Sequence, residues 1–338
     1  MTAVSADRRF SILLLGAIVA LVTLTVAVPP DNSAEATSRQ TTASDRVALP
    51  STPMDPPRPL EPLWLTNLAT RFPSMTAVLA SRFSVLAQNQ IVSYYGNPYT
   101  ELMGILGSDD LEAVADLLET HAARYDKLNG PLDVIPAIHL VYAVAQPHPT
   151  DNGLYLQYVD DETLDRYLAL TEERDMLLFL DLQIGRSSVA DEIEKVLPYL
   201  SRPNVHLALD PEFAVDSRYA PGDIIGSLNA ADIEVAQTML QDLVVAERLP
   251  PKLLMVHQFL DEMLLGADTI DYFPGVELII DMDGFGPAAV KRATYEEFAA
   301  RPYAAHAAIK LFFEYDPDLM SEEDVLFLKP TPAVVIYQ

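Results

Sequence analysis

Asp281 and Asp283 stand two residues apart at the end of an apolar run, in the segment VELIIDMDGFG (276–286). Side chains of an extended strand alternate between its two faces, so residues two apart face the same way. The same design recurs in LLFLDLQIG (177–185) and in VHLALDPEF (205–213). Neighbouring carboxylates are suited to acid–base catalysis or to cation binding. The ends of these three runs are therefore the first places to look for chemistry.

Strand alternation assigns further polar side chains to the same face as these acids. The set expected on this face is Ser93, Tyr95, His139, Asp181, Gln183, His206, Asp210, Glu212, His257, Glu277, Asp281, Asp283, Lys310 and Glu314. Burying carboxylates without partners costs several kcal/mol each. The acids therefore meet a ligand, or they form an internal network in which Lys310 neutralises one of them; capping of the following helices is a further structural alternative.

Eight apolar, strand-like runs supply these residues. They begin near Ile91, Val134, Met176, Asn204, Lys252, Val276, Ala307 and Ala333. Helical patterns fill most of the intervals, at 111–125, 162–170, 189–200, 231–249, 259–266, 288–300 and 321–328. Strands that alternate with amphipathic helices indicate a parallel sheet flanked by helices. Eight such units predict a (β/α)8 TIM barrel that ends at its eighth strand, with an open doubly wound sheet as the alternative.

The N-terminal part of the chain has a different character. Arg8-Arg9 precede the apolar run 10–28, which predicts a signal peptide or signal anchor over 1–28 and a body outside the cytoplasm, either membrane-anchored or secreted. Residues 29–61 are rich in Pro, Ser and Thr, which is typical of a disordered linker. The barrel domain is expected over 62–338, with the segment 64–88 covering one end of it.

Composition excludes several classes of function. The net charge of −27 argues against nucleic acid and against an anionic membrane surface as partners, so membrane contact is expected only through the N-terminal helix. Cysteine is absent, which removes thiolate zinc sites and cysteine nucleophiles. The sequence has no GxxxxGK[ST] motif for phosphate binding and no GxSxG motif for a serine hydrolase.

Hydrolysis of a glycosidic bond needs two carboxylates, one protonated and one ionised. Glu212, after the fourth predicted strand, is the candidate acid, and Glu314, after the seventh, is the candidate second carboxylate, with Asp281 and Asp283 as rivals. Glutamates at these two positions, within the eight-unit pattern of 91–338, resemble the layout of the large barrel clan of glycoside hydrolases. That clan has Asn before its acid, whereas this chain has Pro211. The resemblance implies an exported hydrolase acting on carbohydrate or another small polar substrate.

The remaining candidate residues are predicted to contact such a substrate. They are Tyr95, Asn97, Asp181, Gln183, Asp210, His257, Lys310 and Tyr337. No cofactor is expected under this hypothesis. A second hypothesis is a divalent-metal-dependent hydrolase of ester, phosphoester or amide bonds, with Asp181, Asp210, His257 and Asp281 as ligands. A third is a surface barrel that binds glycans without chemistry.

Overall fold

A computed structural model of the chain describes residues 84–107, 110–299 and 301–338. The strands in this part are β1 (Asn89–Gly96), β2 (Asp133–Ala145), β3 (Leu156–Tyr158), β4 (Leu177–Gln183), β5 (Val205–Asp210), β6 (Leu228–Asn229), β7 (Lys252–Gln258), β8 (Leu264–Leu265), β9 (Val276–Met282), β10 (His306–Leu311) and β11 (Val334–Tyr337). The α-helices are α1 (Leu111–Asp126), α2 (Asp161–Glu173), α3 (Val189–Leu200), α4 (Ala230–Glu247), α5 (Ala288–Phe298) and α6 (Glu322–Leu326).

Eight parallel strands close into a barrel. Their order around it is β1, β2, β4, β5, β7, β9, β10 and β11, and β11 pairs back onto β1 through the register Ile91 to Val334. Each of these strands corresponds to one of the eight runs in the sequence, so the predicted (β/α)8 barrel is confirmed and the open sheet is wrong. The short β3 adds to the barrel as an antiparallel partner of β2.

The helices match the predicted patterns with one exception. Residues 259–266 form a 3-10 turn at Asp261–Met263 followed by β8, which pairs with β6 in a small second sheet. The predicted helix there is wrong because the chain pairs as a strand at Leu264 and then turns at Gly266, whose φ of 67° is left-handed. The long helix α4 starts at a regular cap, where the Asn229 side chain accepts from two backbone amides.

The strands separate two apolar cores, as a packed barrel requires. The outer core lies between the strands and the helices and contains residues such as Leu178 and Ile280. The inner core fills the barrel with Phe179, Met255, Ile279 and others of the alternate parity. Within the strands, the side chains predicted to point inward therefore do so.

The N-terminal end of the barrel is closed by the residues that precede β1. Leu86 packs into the inner core, and the Ser84 hydroxyl donates to Glu277 at 2.5 Å. His306 lies 3.3 Å from the same carboxylate oxygen. These contacts agree with the predicted cover for the described part of 64–88, and they give Glu277 a structural partner at the end of the barrel away from the acids.

The predicted anchor (1–28) and linker (29–61) lie outside the described residues, as does the first part of the predicted cover. Among the residues that the structure does describe, no helix combines the length and the apolar character needed to cross a bilayer.

Candidate active site

The polar side chains of the inner parity meet at the C-terminal ends of the strands. They come from several different strands and the turns that follow them: Tyr95, His139, Asp181, Gln183, Asp210, Glu212, His257, Asp281, Asp283 and Lys310. Strand register brings some together directly, since His257 is the partner of Asp281 and Gln183 is the partner of Asp210. This is the end at which barrel enzymes build their active sites.

His257 is the centre of the deepest part of the cluster. Its Nδ1 lies 2.8 Å from Asp281 Oδ2 and 3.5 Å from Asp283 Oδ2, and its Nε2 lies 3.3 Å from Asp181 Oδ2. An ionised carboxylate only accepts hydrogen bonds, so Nδ1 carries a proton and donates to Asp281. Burial by itself lowers the pKa of His257, but the charge of Asp181 and the bonds to the two aspartates outweigh it and raise the pKa well above its usual value.

His139 and Asp181 form the second half of this buried group. His139 Nε2 lies 3.5 Å from the same Asp181 oxygen that faces His257. Burial lowers the pKa of His139 to about 4, so this ring is neutral at pH 7. Burial alone raises the pKa of Asp181, but the charge of His257 and the contacts of both histidines hold it well below its usual range. Asp181 is therefore ionised.

The contacts around Asp181 are close but poorly directed. Both Asp181 oxygens, both His139 nitrogens and His257 Nε2 are buried without a hydrogen-bond partner among the described residues, although the separations are those of ion pairs. Buried polar atoms in native proteins nearly always have partners. This group is therefore the least satisfied polar part of the described barrel.

Lys310 supplies the positive charge of the cluster. Its Nζ lies 3.0 Å from Asp283 Oδ2 and 3.5 Å from the centroid of the Tyr95 ring. Burial lowers the pKa of Lys310, but the surrounding carboxylates, Asp283 first, reverse the effect and raise it. Lys310 thus remains charged. It orients Asp283, whose side chain is 11% exposed and is the accessible acid of the pair after β9.

Asp210 and Glu212 form the other acidic pair. Gln183 donates to one oxygen of Asp210 at 3.2 Å, and the Glu212 backbone N–H donates to the other at 3.0 Å. Burial raises the pKa of Asp210 to about 7, and the charge of Asp181 adds to the rise. Burial also raises the pKa of Glu212 well above its usual value, with further contributions from Asp210 and Asp283.

Glu212 differs from the other acids in its surroundings. Its side chain is only half-buried, and its carboxyl group has no hydrogen bond or ion pair with any other described residue. The turn that carries it is fixed by Asp210 through the backbone and by Gly226, whose N–H donates to the Glu212 carbonyl. An unpaired carboxyl group whose pKa is raised by its environment is suited to donating a proton to a ligand.

Three predicted site residues lie elsewhere. Glu314 is in an exposed turn, because β10 ends at Leu311 and strand alternation does not continue to residue 314. Tyr337 lies on the outer face of β11, where its hydroxyl pairs with that of Tyr125 at 2.7 Å. Asn97 holds the turn after β1 by donating to the Val141 carbonyl. The structure therefore does not bring these three into the cluster.

Two residues of the site are absent from the catalytic, substrate-binding and metal-binding residues predicted from the sequence. Lys291, in α5, donates to the carbonyls of Gly284 and Lys310 at 2.5 and 2.7 Å and lies 3.2 Å from Asp316. It thereby fixes the chain after Asp283 against β10. The only signal in the sequence is a lysine on the apolar face of a helix, a position usually occupied by a residue such as Leu. His139 is predicted to point inward but is not among the predicted ligands, and it belongs to the centre of the cluster.

Two groups of described side chains have cation-binding atoms within 4.8 Å of one another. One is His139, Asp181 and His257, and the other is His257, Asp281 and Asp283. Asp210 belongs to neither group, so the predicted metal set is only partly assembled. In the second group, the histidine nitrogen concerned is Nδ1, which already donates to Asp281. The first group is therefore the better candidate.

Comparisons with known proteins give similarity of fold only. No protein-family model and no curated protein matches the chain. The chain is similar to the C-terminal domain of Legionella pneumophila ChiA at 8% identity and a TM-score of 0.37, covering 73% of this chain and 92% of that one. It is similar to the Bacillus subtilis mannanase BCman at 9% identity and a TM-score of 0.36, covering 83% and 87%. It is also similar to a sugar phosphate isomerase/epimerase from Parabacteroides distasonis at 7% identity and a TM-score of 0.33, covering 75% of this chain and 88% of that one.

Identities and TM-scores this low carry no argument about activity. The barrel itself rests on the strand pairings described above, and the likeness to barrels of the glycoside hydrolase kind remains a likeness of fold.

Proposed function

We propose that the protein is a hydrolase that cleaves glycosidic bonds at the C-terminal face of the barrel. The observation that carries the proposal is Glu212, a half-buried carboxyl group without a partner among the described residues, whose pKa is raised by burial and by neighbouring acids. The ionised Asp181 lies in the same cluster. Carboxyl groups in one site whose environments push their pKa values apart are typical of acid–base catalysis.

In this proposal Glu212 is the general acid, which protonates the leaving-group oxygen. Asp283 is the second carboxylate, because Lys310 at 3.0 Å opposes the rise that burial causes in its pKa and because it is the more accessible member of the pair after β9. It would act either as the nucleophile or as the base that activates water. The same face also contains Tyr95, Gln183 and Asp210. Asp210 holds the turn that carries Glu212, and the other two would contact the sugar.

The test is the turnover of a glycan panel, measured as release of reducing ends. Glu212→Gln should lower kcat by about 10²- to 10⁴-fold, because loss of a general acid typically costs this much. Asp283→Asn should also lower kcat. Glu314→Gln is the matched control: this glutamate also follows a barrel strand, but it lies in an exposed turn away from the cluster, so the variant should keep full activity.

Full activity of Glu212→Gln would remove this residue from the mechanism. Strong loss of activity in Glu314→Gln would restore the role that the sequence predicts for that glutamate. A wild-type protein that binds glycans but releases no product from any of them would favour the non-catalytic binding barrel instead.

The place of action belongs to the same proposal. An exported protein that is held to the membrane only by residues 1–28, or released as a secreted form, would meet carbohydrate outside the cytoplasm. This location is supported by Arg8-Arg9 and the apolar run that follows them.

A further inference from the structure

We infer that His139, Asp181 and His257 form a binding site for one tetrahedral divalent ion of the zinc type, in the depth of the barrel below the proposed catalytic acids. The three side chains come from β2, β4 and β7 and are each fully buried. The metal site does not depend on the glycosidase proposal: the cluster around Asp181 enters both, but none of the three proposed ligands is one of the proposed catalytic acids, Glu212 and Asp283.

The distances between the ligand atoms agree with tetrahedral geometry. Zinc bonds of about 2.0–2.1 Å at tetrahedral angles place neighbouring donor atoms about 3.3–3.4 Å apart. Asp181 Oδ2 lies 3.3 Å from His257 Nε2 and 3.5 Å from His139 Nε2. Octahedral magnesium, with bonds of about 2.0–2.1 Å, requires adjacent donors about 2.8–3.0 Å apart and prefers oxygen ligands. Two imidazoles and one carboxylate favour zinc or a related transition metal.

The unpartnered atoms are the second, independent observation. Five atoms of these three side chains are buried and lack hydrogen-bond partners among the described residues: both oxygens of Asp181, both ring nitrogens of His139 and Nε2 of His257. Burial removes each of these atoms from water, and no hydrogen bond compensates for the lost hydration. Because buried polar atoms in native proteins nearly always have a partner, a bound ligand is expected here. A single ion bound between Asp181 Oδ2 and the two Nε2 atoms would satisfy three of these five atoms directly.

The surroundings of His257 prepare its Nε2 for an ion. Its Nδ1 donates to Asp281 at 2.8 Å, so the ring, once an ion replaces any proton on Nε2, presents the lone pair of Nε2 toward Asp181. Carboxylates that hold the second nitrogen of a ligating histidine in this way are a regular feature of metal sites. Asp281 is thus a positioning residue.

The local charge also favours a dication. Five carboxyl groups converge on this end of the barrel, those of Asp181, Asp210, Glu212, Asp281 and Asp283. Among the described residues in contact with them, Lys310 is the one permanently charged cation. Three protein ligands leave a fourth position, as in catalytic zinc sites.

The rival arrangement has a second proton on His257 in place of the ion. The ring would then be an imidazolium between Asp281 and Asp181, and the group would be a closed ionic network. The two arrangements predict opposite results for metal binding.

The experiment is calorimetric titration of the purified full chain with Zn²⁺ after treatment with a chelator, together with Co²⁺ as a spectroscopic probe. We expect one ion per chain and the visible bands of tetrahedral Co²⁺. His139→Gln and His257→Gln should abolish both signals, and Asp281→Asn should weaken Zn²⁺ binding by about 10- to 100-fold. Mg²⁺ should not compete.

Two control variants show whether binding is specific to these three side chains. His121→Gln removes a buried histidine that lies outside the barrel, against Tyr94 and Glu322, and should leave binding unchanged. Glu212→Gln should retain the ion even though the proposed glycosidase activity is lost, so the two proposals fail separately.

A wild-type chain that takes up neither Zn²⁺ nor Co²⁺ would overturn the inference, as would undiminished binding in both histidine variants. Circular dichroism of each variant shows whether it is folded. If a histidine variant does not fold, the milder substitution Asp281→Asn still tests the inference. An unchanged Zn²⁺ affinity in Asp281→Asn would contradict the positioning role of Asp281.

Discussion

Replacement of Lys310 by methionine tests the electrostatic basis of the cluster. The lysine is buried, and its Nζ lies 3.0 Å from Asp283 Oδ2. At that separation, Coulomb's law gives an attraction of about 5–6 kcal/mol with an effective dielectric constant of about 20. Desolvation of both groups offsets much of this attraction in the intact protein. The Lys310→Met variant leaves the Asp283 carboxylate without its positively charged partner.

We therefore expect Lys310→Met to lower the free energy of unfolding by about 3–5 kcal/mol at neutral pH. The double variant Lys310→Met/Asp283→Asn should recover part of that loss, because the uncompensated charge has been removed. The assay is urea unfolding of the purified chain followed by far-UV circular dichroism for the wild type, both single variants and the double variant.

The loss of stability in Lys310→Met should also depend on pH. Burial already raises the pKa of Asp283 in the intact protein against the opposing charge of Lys310, and removal of the lysine raises it further. The folded variant therefore binds more protons than the unfolded chain between the unfolded and the folded pKa. Stability of the variant therefore falls as the pH rises through the folded pKa, and its deficit relative to the wild type shrinks at lower pH. A single variant within about 1 kcal/mol of the wild type at neutral pH would refute this reasoning. So would a double variant no more stable than the single one.

Two further predictions concern buried groups away from the cluster. Lys252 donates to the carbonyls of Arg202 and Val205, and burial lowers its pKa from 10.5 to about 7. The unfolded chain therefore binds the extra proton between these values, so stability should rise with pH across that window, and Lys252→Met should abolish the rise in urea unfolding at pH values of about 7 and 9. Tyr337→Phe removes half of the hydroxyl pair with Tyr125 in the outer core and should cost about 1 kcal/mol in thermal or urea unfolding. The same variant should leave glycan turnover unchanged, and a fall in kcat would place Tyr337 at the site after all.

The barrel could be predicted because its signals are local. Eight apolar runs and the helical patterns between them set the order of elements, and eight such units favour a closed barrel over an open sheet. Alternation also placed Asp181, Asp210 and Asp281 inside, because the direction of a strand side chain depends only on its own backbone. The helix predicted at 259–266 failed because pairing with a distant strand outweighed the local pattern.

Site residues beyond the ends of the strands could be placed only with the tertiary structure, because the alternation of side chains stops where a strand ends. Glu314 follows its strand by only three residues, yet the chain turns at Leu311 and the side chain becomes exposed. Lys291 reaches the cluster from a helix, and no spacing in the sequence connects it to Gly284 and Lys310.

Which strand side chains enter the barrel follows from the sequence alone, because that choice is made residue by residue along each strand. Only the closed barrel decided which of them meet, that His139 joins Asp181 and His257, and that Glu212 is left unpaired among the described residues. Those properties depend on distances between strands far apart in the chain. The pKa values of the acids depend on the same distances and on burial, and the local sequence determines neither the distances nor the burial.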